Sequence, residues 1–552
     1  MSGGMLAIFG LREDARKFRP TAQQLVRKLR HRGPDFSGMF AVGDTIIGHD
    51  RLAIIDVGFG AQPFYGCDRS VVLAVTGEIY NWRELRNRLE KQGFYFTTNN
   101  DGEVILHLFQ RYKSYRFLSL LRGMFAFVVY NRDTGRYLVA RDHVGMVPLY
   151  VGWGKDDSSL WFASEIKALS ENCIRHISFP PGSYFDSAST LAEIEGEESF
   201  EQWYTPDWSL PDFVPPATPC LDAGALRAAL TDSVRRHMMS DVTFGVHLDG
   251  TLPSAIVAAI CNRILKEKMD PKEKLPEYLQ LKSFSVGIKG SPELAMARKV
   301  ADFLGTWHYE FHFTVQDGLD HLEDCIYHIE SFDVETVRKG VPFFMLCRLV
   351  KASGCKMLLC GFGADEVFAA MPDLQEITDP AEMQEMIVLE LQQLHQYTCR
   401  RVNQGACAWG VEPRMPFLDR DFLNFVMTMD PHHKMMSEGD GELYHHCLRK
   451  AFNTPDNPYL PEDVLWARES ENEAAGYSWE DSLAEYAEVK VSDDQFEFAS
   501  NRFRFEPPET KEEYLYHQIF DIHFPAPTSK LAARKPSSAV TLAGIRKLRQ
   551  LM

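Results

Sequence analysis

Short apolar runs bounded by Gly, Asp and Asn punctuate the first 200 residues. They are LAIFGL (6–11), TIIGHDRLAII (45–55), SVVLAVTG (70–77), FAFVVYN (125–131) and RYLVARD (136–142). Their length and their β-branched and aromatic content predict strands. Two stretches of helical period interrupt them, TAQQLVRKLRH (21–31) and GEVILHLFQRYK (102–113), the second with Asp101 placed to cap it. Strands grouped in this way predict layered antiparallel sheets with helices outside. Farther along, the order of elements changes. FGVHLDG (244–250), SFSVGI (283–288), WHYEFHF (307–313) and KMLLCGFG (356–363) are strand-like runs separated by helical stretches, which predicts a parallel α/β sheet. Residues 376–460 read as mainly helical. Between the two regions, YTPDWSLPDFVPPATP (204–219) carries five prolines and little periodicity, the signature of a linker.

The bulk properties narrow the function class. With 552 residues, 45% hydrophobic and 25% charged, the chain is expected to form at least two soluble globular domains. A net charge of -18 argues against nonspecific nucleic-acid binding, which needs a basic surface. No apolar stretch is long enough to span a membrane, and the first twenty residues do not read as a signal peptide. The 11 cysteines are scattered without a CxxC pair, as expected of reduced thiols in a cytoplasmic protein. The last residues, KLAARKPSSAVTLAGIRKLRQLM (530–552), are basic and end in an amphipathic pattern that reads as a tail.

Longer motifs carry a resemblance. At HRGPDFSG (31–38), HDRLAIIDV (49–57), GEIYN (77–81), GMFAFVVY (123–130), ARDHVGMVPLY (140–150) and FASEIKAL (162–169) the chain resembles a class II glutamine amidotransferase domain. At SFSVGIKGSPEL (283–294), DEVFAA (365–370), EPRMPFLD (412–419) and GYSW (476–479) it resembles the synthetase domain of the glutamine-hydrolysing asparagine synthetase family. Several long motifs in one order form a specific signal. The resemblance implies an N-terminal four-layer αββα antiparallel sandwich and a C-terminal parallel-sheet α/β domain with added helices, of the adenine-nucleotide alpha-hydrolase type. The implied division is an amidotransferase-like domain (5–205), a linker (206–219), a synthetase-like domain (220–535) and a basic tail (536–552).

In the resembled family an N-terminal cysteine attacks the glutamine amide, and its own α-amino group serves as base. Here Leu6 stands at that position, four residues precede the matching Met5, and the first cysteine of the chain is Cys67. The family's oxyanion hole uses an Asn side chain and a Gly amide; here the pair is Thr76 and Gly77. Losing one such donor costs roughly a hundred- to a thousandfold in rate. Arg51, Gly77, Glu78 and Asp101 match positions that hold the glutamine α-carboxylate and α-amino groups. They read either as a remnant amino-acid pocket or as an internal ion-pair network.

The family's synthetase half activates aspartate with ATP, and its pyrophosphate loop reads Ser-Gly-Gly-Leu-Asp-Ser-Ser. The matching loop here is Asp249-Gly250-Thr251-Leu252-Pro253-Ser254-Ala255. Asp249 sets a carboxylate where a phosphate-binding hydroxyl is expected. At an effective dielectric near 20, two like unit charges at about 4 Å repel by about 4 kcal/mol. Thr251 adds a β-branched side chain, and Pro253 removes a backbone donor and a metal-binding acid together. In the second signature Phe362 replaces a glutamate, while Asp365 remains. Val286 and Gly361 match positions that cradle adenine, and Arg338 and Asp419 also match. The family lysine after Trp466 is missing, the segment reading Ala467-Arg468-Glu469-Ser470-Glu471.

These losses at Leu6, Thr76, Phe362 and the 249–255 loop lead to one expectation: a catalytically inactive, asparagine synthetase-like protein serving as a structural or regulatory component of a larger assembly, with no cofactor. The alternatives are an amide ligase with altered, ammonia-dependent activity that uses ATP and magnesium, and a non-catalytic sensor of glutamine or nucleotide. Protein partners are expected, in a homodimer or a large complex, and neither nucleic acid nor membrane.

Overall fold

A computed structural model describes residues 3–188, 200–218, 220–267, 280–371, 374, 377–435, 443–467, 479–504, 506–525 and 527–533. Twelve strands build two antiparallel sheets. The first contains β1 (Gly3–Phe9), β2 (Phe36–Val42), β3 (Thr45–Arg51), β8 (Tyr150–Gly154), β9 (Leu160–Ala163) and β10 (Cys173–Ser178), in the order β10-β8-β9-β1-β3-β2. The second contains β4 (Phe64–Tyr65), β5 (Val71–Ile79), β6 (Gly123–Asn131), β7 (Tyr137–Arg141), β11 (Ser183–Asp186) and β12 (Glu201–Gln202), in the order β12-β11-β7-β6-β5-β4.

Alternation along the strands makes the layers. On β1, Met5, Ala7 and Phe9 join Val72 and Ala74 of β5 and Ala126 and Val128 of β6 between the two sheets. Leu6 and Ile8 turn the other way, onto Leu25, Val26 and Leu29 beside helix α1 (Ala15–Arg27). On the far side, Val71, Leu73 and Val75 pack on α2 (Trp82–Glu90) and α3 (Glu103–Tyr112). This is the helix–sheet–sheet–helix sandwich that the resemblance implies.

The parallel sheet follows: β13 (Phe244–His247), β14 (Lys282–Ile288), β15 (Trp307–Phe313), β16 (Met357–Leu359) and β17 (Glu412–Arg414), in the order β15-β14-β13-β16-β17, every pair parallel. Around it lie α4 (Ala223–His237), α5 (Leu252–Glu267), α6 (Pro292–Leu304), α7 (Val315–Asp320), α8 (Leu322–Ile329), α9 (Val334–Ala352), α10 (Ala364–Val367), α11 (Pro380–Gln393), α12 (Thr398–Cys407) and α13 (Arg420–Met427).

The sandwich is docked on this sheet by buried polar groups. The Glu330 carboxylate accepts from the backbone N–H of Ile166 and of Lys167, each at 2.8 Å, and from Gln404 at 2.9 Å. Arg32 pairs with Glu165 and donates to Asn403 at 2.7 Å, and Arg414 reaches Glu78 at 3.3 Å.

Two local expectations differ from the structure. Helix α1 begins at Ala15, not after Pro20, because the Asp14 side chain accepts from Arg16 N–H and starts the helix one and a half turns earlier. Asp101 does not cap α3: the N-cap is Gly102, and the Asp101 carboxylate instead accepts Ile79 N–H at 2.8 Å, closing the end of β5. The segment Arg468–Glu471, residues 476–478 of the GYSW motif and the tail 536–552 lie outside the described residues.

Candidate active site

From β13 the chain proceeds outward through β14 and β15, then returns to place β16 on the opposite side of β13. The connections leaving the carboxyl ends of β13 and β16 therefore diverge. Such a switch point opens a crevice in which α/β sheets bind ligands. Here the crevice is a cavity of about 510 Å3. Asp249, Thr251 and Pro253 form one lip, Gly361, Phe362 and Asp365 the other. Helix α9 adds Lys339, and α12 adds Thr398 and Arg401. The lips approach so closely at Gly361 that a Cβ there would lie 2.6 Å from Ser254 N. Only glycine leaves the backbone bare at that point. Gly250 has φ +87° and lies against Glu293 of α6, while Ser254 and Ala255 are buried in the first turn of α5. Val286, at the carboxyl end of β14, is not part of the crevice wall.

The loop differs from its expected chemistry. Asp249 lines the crevice but ties one carboxylate oxygen to its own loop: that oxygen accepts from Thr251 N–H at 3.0 Å, from Thr251 Oγ1 at 2.7 Å and from Ser254 Oγ at 2.5 Å. His247 Nδ1 stands 3.7 Å from the other oxygen. Burial would raise this carboxyl, but His247 and the hydroxyl donors outweigh it and hold it below the ordinary carboxylate range. Asp249 thus rebuilds the turn that glycine gives elsewhere, and Thr251 is turned toward it. Pro253 occupies the first turn of α5, where a backbone N–H has no helical acceptor to lose.

Phe362 packs its ring on His247 and Phe343, with centroids 5.3 Å away in each case, and the Arg401 guanidinium lies 5.6 Å from its face. Glu366, which follows Asp365 in the DEVFAA motif and is given no role from the sequence, faces the same cavity. It is 6% exposed and accepts from Thr398 Oγ1 at 2.8 Å. Burial, and then the neighbouring Asp365, push its carboxyl above the ordinary range, against Thr398 and Arg401. A buried carboxyl with a raised pKa in a crevice is the environment of a general base. Asp365 points outward to His445 Nε2 at 2.9 Å. Arg338 and Asp419 serve the fold: Arg338 pairs with Glu512, and Asp419 caps α13 and pairs with Arg236.

In the sandwich the structure brings together Arg51, Glu78 and Asp101, all buried. Arg51 Nη2 donates to Ile55 O and Asp56 O, but its Nε and Nη1 are buried without partners, as is Asp101 Oδ1. A zwitterion would satisfy both. Gly77 has φ +109°, and a Cβ there would strike Met124 O at 2.0 Å. Burial and Asp101 raise the Glu78 carboxyl well above its usual range. Leu6 and Thr76 are not brought together. Leu6 faces the α1 layer, while Thr76 Oγ1 lies between the sheets, bonded to Gly3 N and Gly3 O at 3.1 Å each. Cys67 is exposed, on a turn outside this cluster.

Residues 4–181 match the glutamine amidotransferase domain family, and residues 225–380 and 370–546 match the asparagine synthase family. Asparagine synthetase B [glutamine-hydrolyzing] of Escherichia coli (strain K12) is 43% identical over 527 residues, covering 95% of this chain and 92% of the relative. Asparagine synthetase [glutamine-hydrolyzing] 1 of Arabidopsis thaliana is 40% identical over 529 residues, covering 96% and 88%. The chain belongs to the asparagine synthetase family. The relative from Sandersonia aurantiaca, also named asparagine synthetase [glutamine-hydrolyzing], is 41% identical over 525 residues, or 95% of this chain and 96% of its own.

This membership corrects the expectation of an inactive structural protein without a cofactor. Relatives named as synthetases over nearly the whole length point to a catalytic enzyme. Asp249, Thr251 and Ser254 hold the turn together through hydrogen bonds, and Pro253 is accommodated in the first turn of α5, so these substitutions leave the folded loop whole. Phe362 likewise replaces one acid beside another, Glu366, in the same crevice. No helix among the described residues is long and apolar enough to cross a membrane.

Proposed function

We propose that the chain is an ATP-dependent, asparagine-forming amide ligase that takes its nitrogen from free ammonia. The observation supporting this most strongly is the cavity of about 510 Å3 at the switch point, which presents cationic and acidic side chains side by side. Its volume is in the range of small-molecule sites. The residues fit a nucleotide: Lys339, on the crevice wall, would face the phosphates. Asp365, on the crevice lip, offers a carboxylate to an oxygen-liganded divalent ion. When bound, ATP supplies the activation of the aspartate side-chain carboxyl. Ammonia then forms the C–N bond at that carbon as the leaving group departs, and Glu366 accepts the proton released from nitrogen. The position of Arg401, buried behind Phe362, suits the substrate carboxylate. Glutamine is the less favoured donor because Leu6 offers no nucleophile and faces away from Thr76 and Glu78. On this reading the enzyme is cytoplasmic and self-associates.

The test supplies 15N-ammonium, aspartate and magnesium-ATP to the purified protein and follows the amide nitrogen of asparagine. We expect ATP-dependent 15N-asparagine, and none when glutamine is the sole donor. Absence of asparagine with ammonium would overturn the proposal; equal rates from glutamine would overturn its choice of nitrogen source.

A further inference from the structure

The chain is acidic overall, yet between Arg12 and Arg32 it holds eight Lys and Arg against two acids. Helix α1 carries Arg19, Gln23 and Arg27 on one stripe, spaced four residues apart, and Arg30 follows in the turn after it. That stripe faces Ser37, Gly38 and Met39 of β2, the edge strand of its sheet, across a cavity of about 450 Å3. Asp50 of β3 forms the floor. It is 1% exposed, and its Oδ1 lies 3.4 Å from Arg30 Nη1. The Ser37 hydroxyl also acts on this carboxyl, but Oδ2 is buried and makes no hydrogen bond of ordinary geometry. Arg30 Nη2 is held by Pro34 O at 2.8 Å, which fixes that guanidinium at the rim. Arg19 and Arg27 are exposed. The cavity shares no lining residue with the crevice at Gly361.

These groups are complementary to one kind of ligand. Guanidinium groups bind phosphate oxygens through paired N–H donors. A bare anion would leave Asp50 Oδ2 unsatisfied and would meet its charge; a ligand that also carries an N–H or O–H donor satisfies it, and a buried acceptor left unmade is costly. We propose that this cavity is a binding site for a small organic phosphate bearing an ammonium group, the phosphate held by Arg19, Arg27 and Arg30 and the ammonium by Asp50.

O-phosphoethanolamine is the smallest probe with both groups, and isothermal titration calorimetry of the full chain is the measurement. We expect saturable binding, stronger than that of inorganic phosphate and weakened by added salt. The double substitution Arg19→Ala/Arg27→Ala, at exposed positions, should weaken it at least tenfold. Asp50→Asn should erase the preference over inorganic phosphate, and Lys339→Ala, in the crevice, should leave binding unchanged. Absence of saturable binding would overturn the proposal. So would affinity that survives the double arginine substitution or falls with Lys339→Ala, because the probe would then sit elsewhere.

Discussion

Replacing Glu366 with glutamine separates the catalytic from the structural role of the crevice. The side chain is 6% exposed, and its carboxyl is held above the ordinary range first by burial and then by Asp365. A carboxyl whose pKa is higher folded than unfolded binds protons more readily when folded. Its stabilising contribution is complete below the unfolded value and is lost as pH rises through the folded one. At neutral pH the wild-type protein therefore bears the cost of a buried carboxylate, about 1.4 kcal/mol for each pH unit between the two values. Glutamine keeps an oxygen to accept from Thr398 Oγ1, now at 2.8 Å from the carboxylate, and bears no charge. Glu366→Gln should thus melt higher than wild type at pH 7.5, by no more than a few degrees for a chain of this size. The difference should vanish near pH 4, where both side chains are neutral. Activity should move the other way. Loss of a general base costs roughly 10²–10⁴ in rate, and the acidic limb of the pH–rate profile for 15N-asparagine formation should flatten. A variant that keeps the wild-type rate and the same acidic limb would refute the assignment. A variant that melts lower at pH 7.5 would refute the burial argument behind it.

Three further outcomes test the rest of the geometry. Gly361→Ala places a Cβ 2.6 Å from Ser254 N and 2.9 Å from Pro253 C, both backbone atoms, so the lips must separate; asparagine formation should fall by about 10²-fold, with the circular dichroism spectrum unchanged. Leu6→Cys should release no glutamate from glutamine in a coupled assay, because that side chain faces the α1 layer and not Thr76. Arg51→Ala should abolish any thermal shift that glutamine or glutamate gives the wild-type protein, since Arg51 brings the unpartnered Nε and Nη1 of that pocket.

The strands with β-branched runs were legible because burial on both faces demands them: TIIGHDR and VVLAVTGEI became β3 and β5. The short strands β8 to β12 were not, since runs such as YVGWG and LWFA are too brief and too glycine-rich to separate from turns. At the site, the identities of Asp249, Thr251 and Pro253 were plain, but not where their atoms point. A carboxylate curled onto its own loop differs chemically from one aimed at a phosphate, and sequence spacing alone does not separate the two. Glu366 and Arg401 each look like an ordinary charged residue; α10 and α12 bring them to one wall of the crevice. The separation of Leu6 from Thr76 needed the packed sheets, because each residue's facing depends on the partner strand and not on its own neighbours.

On the proposed reading, in which ammonia is the nitrogen source, the sandwich still has a physical reason to remain. Arg414, at the end of β17, is fully buried and reaches across to Glu78 of the sandwich, while its Nε pairs with Glu412 at 2.7 Å. Burial works against the Arg414 charge, but Glu412 and Glu78 outweigh it. Glu330 holds Ile166 and Lys167 of the sandwich from a backbone position with φ +54°, which only a well-packed surrounding maintains. The sandwich therefore stabilises β17, and β17 pairs with β16, whose carboxyl end carries Gly361 into the crevice. Substitutions at Leu6 and Thr76 leave that chain of contacts whole. Changes at Glu78 would break it, so on this reading the amidotransferase-like half is retained as the buried wall that positions the ligase crevice.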